Sequence, residues 1–376
     1  MNHFLFRRGL LALLCVFAFA LAARADDEAK AIDRLERLGA HFDRGDRTVT
    51  GVLLSPKAPG DGLKEMKALP NLRRLGYLGR QVSDADAKQI ATLAKVEDLD
   101  LLGSRITDAG LKVIVEMANL KILHLGSTQV TDAGLKELAK LTQLESLTLS
   151  STRVTGAGLK ELDGLKKLRN VFLDSTRIGD DALKSLAECE GLETISLRKT
   201  PVTDAGLKHL AGSLKLKSLY LSQTGISGAG LKNLGSLPAL SSVDLSETKM
   251  TDHGLAEVSA FPGVETLTLR GLPITDAGLK SLTGLKELKR LDLGKTRITD
   301  AGLKTLSTEM PWLDNLILNH TKVTDEGLKH VAGMKNLKGV YLYETGVTPA
   351  GVKKLKAERP ALHVGDSVSR APGKGG

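Results

Sequence analysis

The amino-acid sequence predicts an α/β solenoid, in which short strands stack into a parallel sheet and short helices cover its other side. A pattern of leucines recurs every 24 residues, for example at Leu120, Leu144 and Leu168, and such a fixed period is the signature of repeat architectures. The composition includes 39 glycines but only 3% aromatic residues, as expected when one small packing arrangement is repeated. A chain of 376 residues exceeds the roughly 300 residues that one globular core supports, whereas a solenoid grows by adding neighbours.

The repeat unit is clearest over residues 120–138, which read Leu-x-x-Leu-x-Leu-x-x-Thr-x-Val-Thr-Asp-Ala-Gly-Leu-Lys-x-Leu. Because alternate side chains of a strand face opposite sides, we expect Leu123 and Leu125 to enter the core and His124 to face away. Thr131 is placed to cap the following helix, and Asp132 lies where the helix dipole favours a negative charge. We predict about thirteen such units, with Leu362 opening a truncated fourteenth. The pattern also restarts at Val49, Leu72, Val96, Leu192, Leu216, Leu240, Val264, Leu288, Leu313 and Leu337.

This unit resembles the leucine-rich repeat family, and within it the ribonuclease-inhibitor-like repeats of exported bacterial proteins. The resemblance covers residues 49–362, most of the chain. It implies a curved horseshoe, with the parallel sheet on the concave face, short helices on the convex face, and a binding function without catalysis. The family usually has asparagine or cysteine where this chain has Thr128, so we expect threonine hydroxyls to form the internal ladder.

The two ends of the chain depart from the repeat. Residues 1–25 are predicted to be a signal peptide, because Arg7 and Arg8 precede an uncharged apolar run over 10–22 and then the small-x-small sequence of residues 23–25. The chain is therefore expected to be exported, to the periplasm or to the extracellular space.

The remaining boundaries follow from the repeat. Residues 26–48 are predicted to form an N-terminal helical cap, with Ile32, Leu35 and Leu38 on one face of a helix that reaches Arg47. Residues 49–364 form the repeat domain, and residues 365–376 are expected to be a disordered tail because they are rich in glycine, serine, proline and lysine.

Charge and cysteine content exclude little by themselves. The formal charge of +9 falls to about +6 once the three arginines of the predicted signal peptide are removed, which is modest for this length. We therefore expect no nucleic-acid partner, and the apolar run over residues 10–22 is too short for a stable membrane span. After cleavage Cys189 is the one cysteine left, and we interpret it as an inert buried thiol.

We predict no catalytic residue, no cofactor and no metal. Gly294-Lys295-Thr296 imitates the end of a phosphate-binding loop, but that loop needs a glycine where this chain has Lys289. The eight histidines show no metal-ligand spacing. Aspartates such as Asp132 recur once in most units, and helix capping explains that column better than calcium, which needs six to eight oxygens around one point.

The concave strand face is the predicted binding surface. Most of its side chains are small or polar, and the exposed aromatic ones are of the kind enriched in interface hot spots. The candidate binding residues are Phe172, Asp174, Arg198, Tyr220, Asp244, Arg270, Arg290, Asp292, Asn315, Tyr341 and Tyr343. A second candidate is a basic rim just after the threonine column, which is either a solvated edge or an anion-binding surface. The basic rim consists of Arg105, Arg153, Arg177, Lys249, Arg297 and Lys322.

These features support a non-enzymatic binding protein with a protein partner, and an anionic glycan is the alternative ligand. A second hypothesis is a structural or assembly component of the cell envelope without a discrete ligand, because near-identical units leave few positions free to specialise. A role like that of ubiquitin-ligase adaptors rests on the analogy between repeats alone.

Overall fold

The computed structural model describes residues 23–45, 48–55, 62–77 and 82–366. The predicted signal peptide lies outside these residues except for positions 23–25, and most of the predicted tail, residues 367–376, lies outside them as well. The described chain forms two compact units, Met1–Thr148 and Leu149–Gly376. We refer to them as the first and second units.

The first unit contains a parallel sheet with one antiparallel strand at its start. Strand β1 pairs antiparallel with β2, and β2 to β6 then pair in parallel in chain order. The strands are β1 His41–Gly45, β2 Thr48–Leu54, β3 Arg74–Tyr77, β4 Asp98–Asp100, β5 Ile122–His124 and β6 Ser146–Thr148. The helices are α1 at 23–37, α2 Gly62–Glu65, α3 Asp84–Ala91, α4 Asp108–Ile114 and α5 Asp132–Leu138, with a 3₁₀ turn at Met66–Ala68.

The second unit repeats one strand and one helical segment nine times. Its strands pair in parallel in chain order, each with the strand of the following repeat. They are β7 Asn170–Phe172, β8 Thr194–Ser196, β9 Ser218–Tyr220, β10 Ser242–Asp244, β11 Thr266–Thr268, β12 Arg290–Asp292, β13 Asn315–Ile317, β14 Gly339–Tyr341 and β15 His363–Gly365. These pairings confirm the predicted solenoid of strand and helix.

The helical segments of the second unit are short, and several are wholly or partly 3₁₀. The α-helices are α6 Gly156–Leu159, α7 Ala182–Ala187, α8 Asp204–Leu207, α9 Asp252–Leu255, α10 Asp300–Glu309, α11 Asp325–Gly333 and α12 Pro349–Glu358. The 3₁₀ segments are Lys160–Leu162, Lys208–Leu210, Leu231–Leu234, Ala256–Ala260 and Gly278–Leu282. Among the described residues, no helix combines the length and the apolar character needed to cross a membrane.

The core follows the predicted alternation of side chains. Leu123 and Leu125 are fully buried, while Ile122 and His124 are only half-buried. The middle residue of every three-residue strand in the second unit, for example Leu219, is buried as well. Burial of a leucine side chain contributes roughly 1.5 to 3 kcal/mol, so each repeat is held mainly by the leucines that it shares with its neighbours.

A left-handed residue ends the strand region of most repeats. Ser175 has a φ of 56° and Lys199 a φ of 55°, where side chains other than glycine are disfavoured. The backbone N–H of Ser175 donates to the carbonyl of Arg198 in the next repeat at 2.8 Å. The turn thus continues the hydrogen-bonded stacking beyond the strand, which offsets the unfavourable backbone conformation.

The threonine predictions are confirmed in one position and corrected in another. The Thr203 hydroxyl accepts a hydrogen bond from the Ala205 N–H at 3.3 Å, so threonine caps the helix as predicted. The Thr200 hydroxyl, in contrast, donates to the Leu197 carbonyl of its own repeat at 2.6 Å. The expected hydroxyl ladder is therefore wrong: because the carbonyl three residues earlier is within reach, the threonine hydroxyl closes a turn inside its own repeat.

The predicted N-terminal helix ends earlier than expected. Helix α1 stops at residue 37, and Gly39 adopts a φ of +75°. The Ala40 N–H then donates to the Leu35 carbonyl at 3.0 Å, a helix-ending motif that favours glycine at the left-handed position. Residues 41–45 form strand β1 instead of continuing the helix towards Arg47. Leu35 is buried, whereas Ile32 and Leu38 are half-buried.

The C-terminal end also differs from the prediction. Leu362 is buried like Leu337, the first leucine of the preceding repeat, and its N–H donates to the Arg359 carbonyl at 3.0 Å as that of Leu337 does to Met334. His363 then pairs with Gly339. Gly365 belongs to strand β15 and Asp366 is buried, so order extends past the predicted start of the tail at residue 365. Parallel pairing with β14 accounts for this added order.

Candidate binding surface

The candidate binding residues of the second unit share one surface. The first and third residues of each strand, and the second residue after it, project away from the buried leucines. We call this surface the strand face. It carries all the candidates, Phe172, Asp174, Arg198, Tyr220, Asp244, Arg270, Arg290, Asp292, Asn315, Tyr341 and Tyr343. Each of these side chains is half-buried or exposed.

Arg198, Tyr220 and Asp244 form a cluster that spans three strands. The Arg198 guanidinium carbon lies 4.5 Å from the centroid of the Tyr220 ring. Its Nε and Nη2 atoms each lie 3.2 Å from Oδ2 of Asp244. The side chain of Arg198 is 45% exposed, whereas that of Asp244 is 13% exposed. The ring and the carboxylate therefore hold the guanidinium in place while part of its N–H edge faces solvent.

The carboxylates beside this cluster accept hydrogen bonds from the protein itself. Oδ1 of Asp174 accepts the Arg198 N–H at 2.9 Å and also the hydroxyl of the buried Ser196. Oδ1 of Asp244 accepts the N–H and the hydroxyl of Ser246 at 3.0 and 2.6 Å. These bonds orient the carboxylates, so they act mainly as supports for the arginine.

A second arginine and aspartate, Arg270 and Asp292, lie further along the same face. Burial raises the pKa of Asp292 above its ordinary value, while the hydrogen bond from the Gly294 N–H and the charge of Arg270 lower it in part. The Gly294 N–H donates to Oδ1 of Asp292 at 2.7 Å. A Cβ atom at position 294 would lie 2.8 Å from Nη1 of Arg270. The guanidinium thus packs over this glycine, a requirement that sequence reasoning missed.

Three aromatic rings lie together on the last two strands. The rings of Tyr341 and His363 have centroids 5.6 Å apart and are tilted by 58°. A Cβ atom at Gly365 would lie 2.7 Å from Cδ1 of Tyr341 and 3.2 Å from Cε2 of Tyr343. Both tyrosine rings therefore lean over a glycine of strand β15. The sequence indicated Tyr341 and Tyr343 but not the histidine or the glycine.

The basic rim lies at the turn that follows the strand face. All its side chains are exposed, and among the residues that the structure describes none of them forms an ion pair. Arg105 lies in the first unit and the other five residues lie in the second. Within the second unit, the backbone N–H groups of Lys249, Arg297 and Lys322 donate to carbonyls of the preceding repeat, for example that of Arg297 to Ile274 at 2.9 Å.

A row of alternating charges lies at the opposite end of the strands, and sequence reasoning missed it. In the second unit, Glu193 binds Arg169 and Lys217 of the flanking repeats, each at 2.6 Å. The hydrogen bond from Lys217, followed by that from Arg169, lowers the pKa of Glu193. We call this row the paired edge. The sequence could have predicted the paired edge, because charges of opposite sign alternate 24 residues apart at the second position of successive repeats.

The residues that could take part in catalysis or metal binding have contacts typical of structural residues. Cys189 is buried, and this burial raises the pKa of its thiol to about 11, so the thiol is protonated at neutral pH. Thr296, the last residue of the Gly-Lys-Thr triplet, donates its hydroxyl to the Leu293 carbonyl at 2.6 Å, as the other threonines of its column do. Over the described ranges, no group of three or more His, Cys, Asp or Glu side chains is arranged to hold a metal ion.

Comparison with known proteins gives the same fold. The sequence profile described as Leucine Rich repeat matches residues 116–139 and 286–307. An internalin from Listeria monocytogenes superimposes with a TM-score of 0.55 at 20% sequence identity, over 86% of this chain and 87% of that chain. A leucine-rich repeat protein from Leptospira interrogans superimposes with a TM-score of 0.50 at 18% identity, over 83% and 92% of the two chains. No curated protein matches the sequence.

Proposed function

Since the chain is a leucine-rich repeat protein by its repeats and its fold, we propose that it binds a protein partner, without catalysis, through the strand face of the second unit. The leucine-rich repeat fold serves protein binding in general, and the finer statement rests on the side chains of this chain. The strand face offers a wide surface on which aromatic and arginine side chains stand among small polar ones. Such a composition suits an interface with a few strong contacts.

The cluster of Arg198, Tyr220 and Asp244 carries this proposal. Ordering a long side chain on binding costs about 0.5 to 1.5 kcal/mol, and here the ring stack and the carboxylate have ordered the guanidinium in advance. Arginine and tyrosine are also the residue types that dominate interface hot spots. A face that served only to be solvated would not need a long side chain that reaches across two strands to a shielded carboxylate.

The partner can be found and tested with the purified chain. We expect the chain immobilised on a resin to retain one saturable protein from an envelope extract of its source organism. Titration of that purified protein then compares the wild type with the double variant R198S/Y220A. Loss of a hot spot costs about 2 kcal/mol or more, so the variant should bind at least ~30-fold more weakly.

The matched control is R169S, which removes an exposed arginine of the same unit that belongs to the paired edge. It should bind the partner as the wild type does. Equal affinity of R198S/Y220A and the wild type would contradict the proposal. Retention of nothing except further copies of the chain itself would instead support a structural role in the cell envelope.

We also propose that the chain is exported, to the periplasm or the extracellular space. The basis is the basic start at Arg7 and Arg8, the apolar run over 10–22 and the small-x-small sequence of residues 23–25. Intact-mass measurement of the protein from its source should give a chain that begins at Asp26. An uncleaved chain that fractionates with cytoplasmic markers would contradict export.

A further inference from the structure

The basic rim of the second unit is continued by lysines from a neighbouring position of the same turn. Lys199 has the left-handed backbone and is exposed, the next residue, Thr200, is buried, and Pro201 is exposed again. Side chains at the left-handed position and two residues later are therefore both exposed at the same turn. Where Pro201 interrupts the rim, Lys199 supplies the cation instead.

This arrangement places a cation on each of three consecutive repeats. Arg153, Arg177 and Lys199 are all exposed, and we call them the rim cluster. Neighbouring strands are about 4.8 Å apart, so the rim cluster extends over roughly 10 Å. Lys295, Arg297 and Lys322 repeat the arrangement on two later repeats. In two other repeats this turn carries a carboxylate. They are Glu247, which accepts a hydrogen bond from Gln223 at 2.9 Å, and Glu344.

The contrast with the paired edge shows that the rim cluster lacks counter-charges. On the paired edge, Lys217, Lys289 and Lys338 each lie within 3.2 Å of a carboxylate of the preceding repeat. Within the part of the chain that the structure describes, no carboxylate pairs with a residue of the rim cluster. Like charges on adjacent strands disfavour each other, and an external polyanion would relieve that repulsion.

We propose that the rim cluster binds an acidic polysaccharide that carries carboxylate or sulfate groups on successive sugars. Neighbouring strands are ~4.8 Å apart, and one sugar ring of a polysaccharide is of similar length, so anionic groups on successive sugars meet successive cations. The turns that carry the rim cluster, residues 151–153, 175–177 and 199–201, contain no aromatic side chain. A protein interface would need apolar anchors, and a nucleic-acid single strand would need rings on which bases stack. This proposal goes beyond the proposed function because it concerns a separate surface.

The test uses heparin as the sulfated probe and polygalacturonate as the carboxylate probe. Binding is measured at low and at moderate salt for the wild type, for the variant R153S/R177S/K199S, and for the control K217S/K289S/K338S. The control loses the same net charge from the paired edge, so general attraction between the basic chain and a polyanion affects both variants equally. All six side chains are exposed, and thermal melts verify that both variants are folded.

We expect the rim variant to bind both probes at least ~10-fold more weakly and with a shallower dependence on salt, because fewer counterions are released. The control should stay within ~2-fold of the wild type, since its lysines are already paired. Equal losses in the two variants, or no loss in the rim variant, would overturn the proposal. Equally tight binding of polyglutamate or single-stranded DNA of matched charge would overturn the assignment to a polysaccharide.

The strand-face variant R198S/Y220A separates this proposal from the previous one. It should bind heparin and polygalacturonate as the wild type does. Loss of the protein partner in this variant, with unchanged binding of heparin, would leave the rim proposal intact. A wild-type chain that binds the protein partner but neither polysaccharide would remove only the rim proposal.

Discussion

Two repeats of the second unit differ in the contact that joins them to their next neighbour. Asp252 accepts hydrogen bonds from the N–H and the hydroxyl of Thr275, at 2.9 and 2.6 Å. A Cβ atom at Gly278 would overlap the carboxylate of Asp252. Glycine takes the place of the aspartate in two repeats, at Gly156 and at Gly228. After Gly156 the chain has Ala182 where most repeats have the second glycine, whereas after Gly228 it keeps Gly254. A Cβ atom at Gly156 would lie 2.9 Å from that of Ala182.

The difference shows that the aspartate and the glycine of the repeat motif are two halves of one contact between repeats. The carboxylate occupies the space that a side chain at the second glycine would need, and a side chain is allowed there only when the carboxylate is absent. Among the described residues, further pairs of this kind are Asp84 with Gly110, Asp108 with Gly134, Asp180 with Gly206, Asp276 with Gly302, Asp300 with Gly327, and Asp325 with Gly351.

The largest effect is expected when a methyl group is forced against the carboxylate. The substitution Gly278→Ala should lower the free energy of unfolding by about 3 kcal/mol, since overpacking of a well-filled site costs about 1 to 3 kcal/mol. Urea denaturation followed by circular dichroism measures the change. An unchanged urea midpoint would show that Asp252 moves aside freely and that the contact is not a steric one.

Removal of the carboxylate alone should have a smaller effect. Asp252→Ala leaves the partly buried N–H of Thr275 without its acceptor, and an unsatisfied buried donor costs about 1 to 3 kcal/mol. We expect a loss of about 2 kcal/mol in the same urea measurement. The matched control is Asp163→Ala, which removes an exposed carboxylate that binds only Lys166. A loss no greater than that of the control would contradict the contact.

The double variant D252G/G278A reproduces the natural pair of Gly156 and Ala182. In the D252G background, Gly278→Ala should cost about 1 to 2 kcal/mol less than in the wild type, as expected for residues in direct contact. The double-mutant cycle is measured by urea denaturation of the four proteins. Additive losses would mean that the alanine is disfavoured by something other than the carboxylate.

The smallest effect is expected at the paired edge, where the charges are exposed. Since the pKa of Glu193 is lowered in the folded chain, its contribution is present above the ordinary glutamate pKa of 4.5 and is lost as the pH falls through the lowered value. Glu193→Gln should therefore lower the melting temperature slightly at neutral pH, and this difference should vanish in strong acid and in high salt. A difference that grows on acidification would have the wrong sign.

Much of the fold was predictable because its causes lie within one repeat. The alternation around Leu123 and the threonine that caps most of the α-helices follow from strand geometry and from capping, which depend on residues close together in the chain. The end of helix α1 was not predicted, because glycine occurs both within helices and in the turns that end them. Only the left-handed backbone conformation of Gly39 shows that the helix ends here.

The candidate surface was predictable as a set of positions but not as a set of contacts. Periodicity indicates that Arg198, Tyr220 and Asp244 share one face. It does not indicate that the arginine crosses over the tyrosine to reach the aspartate two strands away, because the rotamer is chosen by the neighbouring side chains. His363 and Gly365 were missed for a related reason: they join the tyrosines only through the pairing of β15 with β14.

The sequence alone determined the period of the repeat, which residues enter the core, and which side chains point away from it, because each of these follows from local spacing along the backbone. The tertiary structure decided what the side chains do between repeats. From the sequence, Asp252 only marks the start of a helix. Its contacts with Thr275 and Gly278 form when the next repeat packs against it. Residues distant in the chain meet only when the units stack, and that stacking directs the aspartates, the paired edge and the rim cluster to their partners or to solvent.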